Sequence, residues 1–224
     1  MIKCVVFDFD GTLVDSNDIK RDTFFEIVQP WDASGEVVAE VFERWPGADR
    51  YEKTRKIAEA LISRKLLPED SSLKWWGARL ANDYTTRCEK AISNCAERPG
   101  ASQTLMELSR MGLMLFVNSG TPAEPLRRLL ELRHWANFFK AVYGAEGSKA
   151  DNLKNIAQGS GAARHEMIHI GDQPDDWQGA EQFGCHFVAM AVPCTVSTIR
   201  ESPLLIEDLR ELPALVTKIS NETL

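Results

Sequence analysis

The sequence predicts an α/β protein: a doubly wound parallel sheet, Rossmann-like in its core, with an inserted α-helical cap subdomain. Three observations predict it. Short β-rich apolar runs alternate with segments of helical spacing, the pattern of βαβ units. Each run stops abruptly at a polar cluster. One long interval, from about residue 16 to 97, breaks the alternation with helical patterns alone.

In chain order, CVVF at 4–7 is the first strand and ends at DFDGT. The helical interval follows. Phe24, Ile27, Val28 and Trp31 recur at i, i+3, i+4 and i+7, as do Val38, Val41, Phe42 and Trp45. Further helices are expected near 53–64 and 72–95, which makes 16–96 a subdomain and leaves 1–15 and 97–224 as the core. Ala101, Leu105 and Leu108 begin the next helix. The strand LMLFV at 113–117 ends at NSGTP, and Leu126, Leu129 and Leu130 mark the helix after it. AVY at 141–143 ends at GAEGSK, a helix surrounds Leu153–Ala157, and MIHI at 167–170 ends at GDQPDD. CHFVAMAV at 185–192 is a fifth strand. In such sheets ligands bind beyond the carboxyl ends of the strands, so the polar clusters are the places to seek chemistry.

One stretch offers a competing reading. HEMIH at 165–169 matches the H-E-x-x-H signature of zinc proteases, in which two histidines sit one helical turn apart. Here MIHI runs directly into GDQ as a strand. Four residues of strand span about 13 Å, beyond the reach of one ion with Zn–N of about 2 Å. The zinc reading is set aside, and His169 is expected to pack under a helix.

Bulk properties exclude several classes. The chain of 224 residues is 44% hydrophobic and 26% charged, with a net charge of −7. That charge argues against broad binding to nucleic acid or to anionic membranes. The longest apolar run, Phe187–Val192, is far short of the ~20 residues that span a bilayer. No signal-peptide pattern opens the sequence, so Asn221 in NET carries no weight as a glycosylation site. Five cysteines (Cys4, Cys88, Cys95, Cys185 and Cys194) include no C-x-x-C pair. Cys88 and Cys95 are read as one helical face, about 10 Å apart along the axis, too far for a disulfide. A reduced, cytoplasmic protein is the simplest expectation.

The strand ends carry the chemistry. Asp8 and Asp10 follow the first strand, and Asp172, Asp175 and Asp176 follow the fourth. Two carboxylates ~4 Å apart repel by about 4 kcal/mol at an effective dielectric near 20, so such a cluster needs a cation, a shared proton or separation. All-oxygen ligands favour Mg²⁺ over zinc. Opposite the acids, Ser119 and the Gly120 amide can donate hydrogen bonds and Lys149 supplies positive charge. Acids with metal on one side and donors with lysine on the other describe a phosphoryl-transfer site. Singly, each residue also fits a plainer role: a helix cap, a turn, a solvated first-turn lysine. Four successive strand ends in the right chemical order are much harder to attribute to chance.

DFDGT at 8–12, a Ser after the second strand, a Lys beyond the third and GDxxxD after the fourth resemble the haloacid dehalogenase superfamily of phosphohydrolases. The resemblance covers about 1–15 and 97–195, with the helical insertion similar to that family's cap. It implies that Asp8 is a nucleophile forming an aspartyl-phosphate. Asp10 is then the acid for the leaving oxygen and afterwards the base for water. It also implies that Asp8, the Asp10 carbonyl and Asp172 hold Mg²⁺, with Asp176 acting through water, and that Ser119, Gly120 and Lys149 bind the phosphoryl group. Asp175 receives no role. Asp10 itself favours phosphate over halide chemistry, because a halide leaving group needs no proton. Gln173 departs from the commoner GDS, and NSG from the frequent TN, without removing a ligand.

RWPGADRYEKTRKI at 44–57 resembles the cap segment that contacts substrate in sugar-phosphate members of the family, with Arg50 the best match. A solvated charged face explains it equally well. Trp75 and Trp76 are expected to pack the cap. The expected function is Mg²⁺-dependent hydrolysis of a small phosphorylated metabolite. Two alternatives stand beside it: a phosphosugar mutase, and a non-catalytic phosphate-binding module.

Overall fold

The computed structural model describes residues 1–68, 72–192, 202 and 204–222. Cys194 lies outside the described residues. The described chain divides into two compact units, Met1–Ser16 with Cys95–Leu224, and Asn17–Asn94.

The first unit is built on a six-stranded sheet in the order β3-β2-β1-β4-β5-β6. Its strands are β1 (Cys4–Phe7), β2 (Met114–Asn118), β3 (Phe139–Tyr143), β4 (Met167–Gly171), β5 (His186–Met190) and β6 (Leu205–Ile206). Every neighbouring pair is parallel. All four residues of β1 are fully buried, as expected for a central strand covered on both faces. Cys4, Val6, Phe116 and Met167 form one face of the core with Leu153, Ile156, Ala162 and Phe183. Leu153 and Ile156 come from α7 (Lys149–Ser160) and Phe183 from α8 (Pro174–Phe183). Helix α5 (Ala101–Arg110) packs on β2 and on α9 (Leu212–Glu222), and α6 (Ala123–Leu132) packs on β3.

The chain steps outward from β1 to β2 and β3, then returns to the other side of β1 as β4, so the strand order reverses at β1. This is the switch point of a doubly wound sheet, where loops part and leave a crevice at the carboxyl ends. The registers place those ends level: Phe7 pairs with Val117 and with Ile170.

The second unit holds α1 (Asn17–Val28), α2 (Glu36–Arg44), α3 (Arg50–Ser63) and α4 (Leu73–Ile92). Phe24 sits between Phe42 at 5.3 Å and Tyr84 at 4.1 Å between ring centroids. Asp49 caps α3 through the Glu52 amide at 2.8 Å, and Asp32 accepts the Val37 amide at the start of α2 at 2.8 Å. Trp76 is buried as expected, but Trp75 is 54% exposed, edge-on to Trp76. Its position one residue along turns it off the apolar stripe.

Three further details differ from the sequence reading. Helix α4 ends at Ile92, so Cys95 lies beyond it and not on a shared helical face with Cys88. Strand β4 begins at Met167, and His165 sits on the short 3₁₀ turn Arg164–Glu166, exposed. The strands β2 and β3 each extend one or two residues past the expected bounds, because ladder pairing, not apolarity, decides where a strand ends.

Candidate active site

Four loops meet at the carboxyl ends of β1 to β4. Asp8 continues the β1 ladder, its amide donating to Ile170 O at 2.8 Å, and its side chain is buried. Gly11 then takes φ of 84°, a left-handed conformation open to glycine, and turns the chain back. Asp10 is carried inside this turn, 5% exposed. Ser119 follows β2, buried, beside the exposed Gly120. Ser148 caps α7 through the Asp151 amide, which sets Lys149 as the first helical residue. On the fourth loop Asp172 leaves β4, Pro174 opens α8, and Asp176 reaches back to accept the Gln173 amide at 3.1 Å. A first-turn acid of this kind is favoured by the helix dipole.

Asp8, Asp172 and Asp176 offer carboxylate oxygens that all lie within 4.8 Å of one another, and all three are buried. Lys149 Nζ bridges two of them, 2.7 Å from Asp8 Oδ1 and 2.6 Å from Asp176 Oδ1. It also donates to Asn118 O at 2.7 Å. Asn118 is itself held, its amide donating to Lys149 O at 3.1 Å while its Oδ1 accepts from Asn152 at 3.0 Å. The lysine is thus gripped at both ends of its residue.

Asp172 is tied from two sides, by the Thr12 hydroxyl at 3.2 Å and by the Gln173 side-chain amide. The unusual Gln173 therefore orients the acid beside it. His169, fully buried, faces Val6 O through Nδ1 at 3.1 Å and lies 3.3 Å from Asp176 Oδ1 through Nε2. That second contact is out of line for a directed hydrogen bond. Sequence reading placed His169 on the strand but missed that its outer nitrogen reaches the site. Strand periodicity gives the side, not the partner.

The electrostatics follow from burial. Burial lifts the Asp8 carboxyl well above its ordinary range; Lys149 opposes this, and Asp176, Asp172 and Asp10 add to it. Burial would strip Lys149 of its charge, but Asp176 and Asp8 outweigh it and hold the ammonium more firmly protonated than usual. Burial acts against ionised Asp176 too, yet Lys149 and His169 bring it down to about 2. Three buried carboxyl groups cluster where Lys149 supplies one ammonium, so acidic groups outnumber the lysine. An oxygen-only cluster of this size fits a hard divalent cation, Mg²⁺ above all.

Asp10 is held separately. Its two oxygens accept hydrogen bonds from Ser16 Oγ and Thr121 Oγ1, each at 2.7 Å. Its carboxylate is outside the three-acid cluster. Neither hydroxyl was singled out from the sequence, because a lone Ser or Thr near a turn carries no distinguishing pattern. Arg50 opens α3 in the helical unit, its guanidinium 5.4 Å from the Tyr84 ring centroid. Its neighbours Lys53 and Lys56 lie over Phe42 and Trp45. Asp175 is exposed.

The profile of the haloacid dehalogenase-like hydrolases matches residues 5–190. A phosphoglycolate phosphatase of Aliivibrio fischeri is 26% identical over 200 residues, 84% of each chain. Among solved structures, a predicted phosphoglycolate phosphatase from Haemophilus somnus superposes with a TM-score of 0.76 at 16% identity, over 96% of this chain and 97% of that one. The hydrolase YfnB of Bacillus subtilis, crystallised bound to magnesium, superposes with a TM-score of 0.68 at 16% identity, over 96% and 98%.

Proposed function

Since the chain belongs to the haloacid dehalogenase-like hydrolases, we propose that it hydrolyses a small phosphorylated metabolite with Mg²⁺, through an aspartyl-phosphate on Asp8. It is a phosphoric monoester hydrolase by kinship; the cation, the residue roles and the substrate class are the proposal. The observation that carries it is the division of labour among the acids. Asp8 stands with Asp172 and Asp176 around one point, while Asp10 is held apart by two hydroxyls.

In this reading Asp8 attacks phosphorus as the bond to the leaving oxygen breaks, and Asp10 gives that oxygen its proton. Asp10, now ionised, takes a proton from water as the water oxygen attacks phosphorus. The bond to Asp8 then breaks, and inorganic phosphate leaves. Lys149 neutralises the phosphoryl oxygens, joined by the Ser119 hydroxyl and the Gly120 amide. Asp8, the Asp10 carbonyl and Asp172 would hold Mg²⁺, with Asp176 acting through water. Bound there, the ion supplies charge neutralisation for the phosphoryl oxygens and for the attacking carboxylate. Relatives named as phosphatases favour water as the final acceptor over a sugar hydroxyl.

Arg50 belongs to the proposal as a contributor to substrate choice, and phosphoglycolate is the first metabolite to assay. The test is phosphate release from p-nitrophenyl phosphate, with Mg²⁺ and with chelator, by the wild type and Asp8→Asn. Turnover that needs Mg²⁺ and is lost in the variant supports the proposal. Turnover that persists in Asp8→Asn removes it.

A further inference from the structure

We propose that Thr121 is the positioning residue for the acid–base carboxylate, and that through it the loop binding the phosphoryl group also aims the proton. The inference rests on the reading of Asp10 as acid and base.

The Thr121 side chain is 4% exposed, and its hydroxyl donates to Asp10 Oδ2 at 2.7 Å across 111 residues of sequence. Its backbone is held at both polar groups. Its amide donates to Ser119 Oγ at 3.1 Å, and its carbonyl accepts the Ala145 amide at 3.2 Å. Pro122 follows, which restricts the Thr121 backbone to extended conformations. The β3–α7 loop closes on this point through Gly144, where a Cβ would stand 2.2 Å from Ala123 N and 2.7 Å from Thr121 O. A β-branched side chain on so constrained a backbone has little rotamer freedom. Its hydroxyl direction is therefore set by the same loop that presents Ser119.

The chemistry asks for such a partner. An acid that becomes a base must be held in both protonation states, and a hydroxyl can donate to a carboxylate or accept from a carboxylic acid. Ser16 does this for Oδ1. Thr121 does it for Oδ2 and ties that oxygen to the phosphoryl loop, so the proton donor and the phosphoryl anchor share one rigid segment. Positioning within a fraction of an ångström is what makes general acid catalysis effective.

The experiment compares kcat/KM on p-nitrophenyl phosphate and on phenyl phosphate, two substrates of similar size. Because kcat/KM reports the steps up to release of the first product, it isolates departure of the leaving group. Nitrophenolate leaves without help, whereas phenolate needs the proton. Thr121→Val is expected to lose about tenfold on phenyl phosphate, the scale of one hydrogen bond to a charged group, and far less on p-nitrophenyl phosphate. Thr121→Ser, which keeps the hydroxyl, is expected to stay close to wild type on both. Should Thr121→Val fold poorly, Thr121→Ala makes the same comparison.

Equal losses on the two substrates, or a Thr121→Ser variant that loses activity on phenyl phosphate as Thr121→Val does, overturn the inference. Asp10→Asn is run beside them to separate the two levels. If it discriminates between the substrates while the Thr121 variants do not, the positioning role fails alone. If Asp10→Asn itself shows no discrimination, the acid–base reading falls first.

Discussion

Lys149→Met removes a charge and keeps most of the side chain's volume, so its effects can be worked from the distances around the ammonium. At 2.7 Å from Asp8 and 2.6 Å from Asp176, each attraction is about 6 kcal/mol at an effective dielectric near 20. Without the ammonium, Asp8 and Asp176 oxygens within 4.8 Å of each other repel by about 3.5 kcal/mol on the same scale. Desolvating the lysine offsets much of the attraction. The net cost of breaking a buried pair from one side is about 3–5 kcal/mol. Urea unfolding in chelator should therefore show Lys149→Met less stable than wild type by about 3 kcal/mol or more. Excess Mg²⁺ should return a large part of that loss by supplying the missing positive charge, without restoring turnover. Equal stability of variant and wild type in chelator would refute the electrostatic account of the cluster. So would a deficit that Mg²⁺ leaves unchanged.

Other perturbations read different parts of the same construction. Gly171→Ala places a Cβ 2.2 Å from Asp176 Cγ, and Asp176 cannot retreat without leaving Lys149. A loss of about 2–3 kcal/mol in thermal or urea unfolding is expected, together with loss of Mg²⁺-dependent turnover; a variant near wild type in both contradicts the geometry. Asn152→Ala leaves Asn118 Oδ1 and Gly144 O without the amide that bonds both at 3.0 Å. It should cost about 1–3 kcal/mol and lower kcat through a loosened Lys149, so unchanged kcat counts against that coupling. Burial alone would raise the carboxyl of Asp32 in the helical unit, but the Ser34 hydroxyl and the Val37 amide bring it below the usual range. A depressed folded-state value means its contribution is complete above the unfolded value of ~3.9 and fades as pH falls through the folded one. The stability gap between wild type and Asp32→Asn should thus be widest near neutral pH and shrink in acid. A gap that widens in acid has the wrong sign.

The fold was legible because buried parallel strands announce themselves. CVVF, MLFV and MIHI are apolar on both faces and each stops where a polar loop begins, which is what a sheet covered by helices on both sides requires. Asp8, Asp172 and Asp176 were legible for the same reason, as acids at strand ends, and the structure brings those three together. Ser16, Thr121 and His169 were not. Each reaches its partner across the fold or around a turn, and a hydroxyl or imidazole in one loop gives no sign of the carboxylate it will meet. The two-residue strand β6 escaped notice because it is defined by pairing with β5, not by its own composition. Trp75 shows the converse limit: an aromatic residue beside a buried one was expected inside, yet one step around a helix turns a side chain by about 100°.

The claim on which the account depends is that Asp8 carries the phosphoryl group. The most direct measurement is rapid acid quenching during turnover of a radiolabelled phosphate ester with Mg²⁺, followed by peptide mapping. Label is expected on the peptide containing Asp8, released by hydroxylamine as for an acyl phosphate, and absent from Asp8→Asn together with turnover. Label on another residue, or turnover that survives in Asp8→Asn, would contradict it.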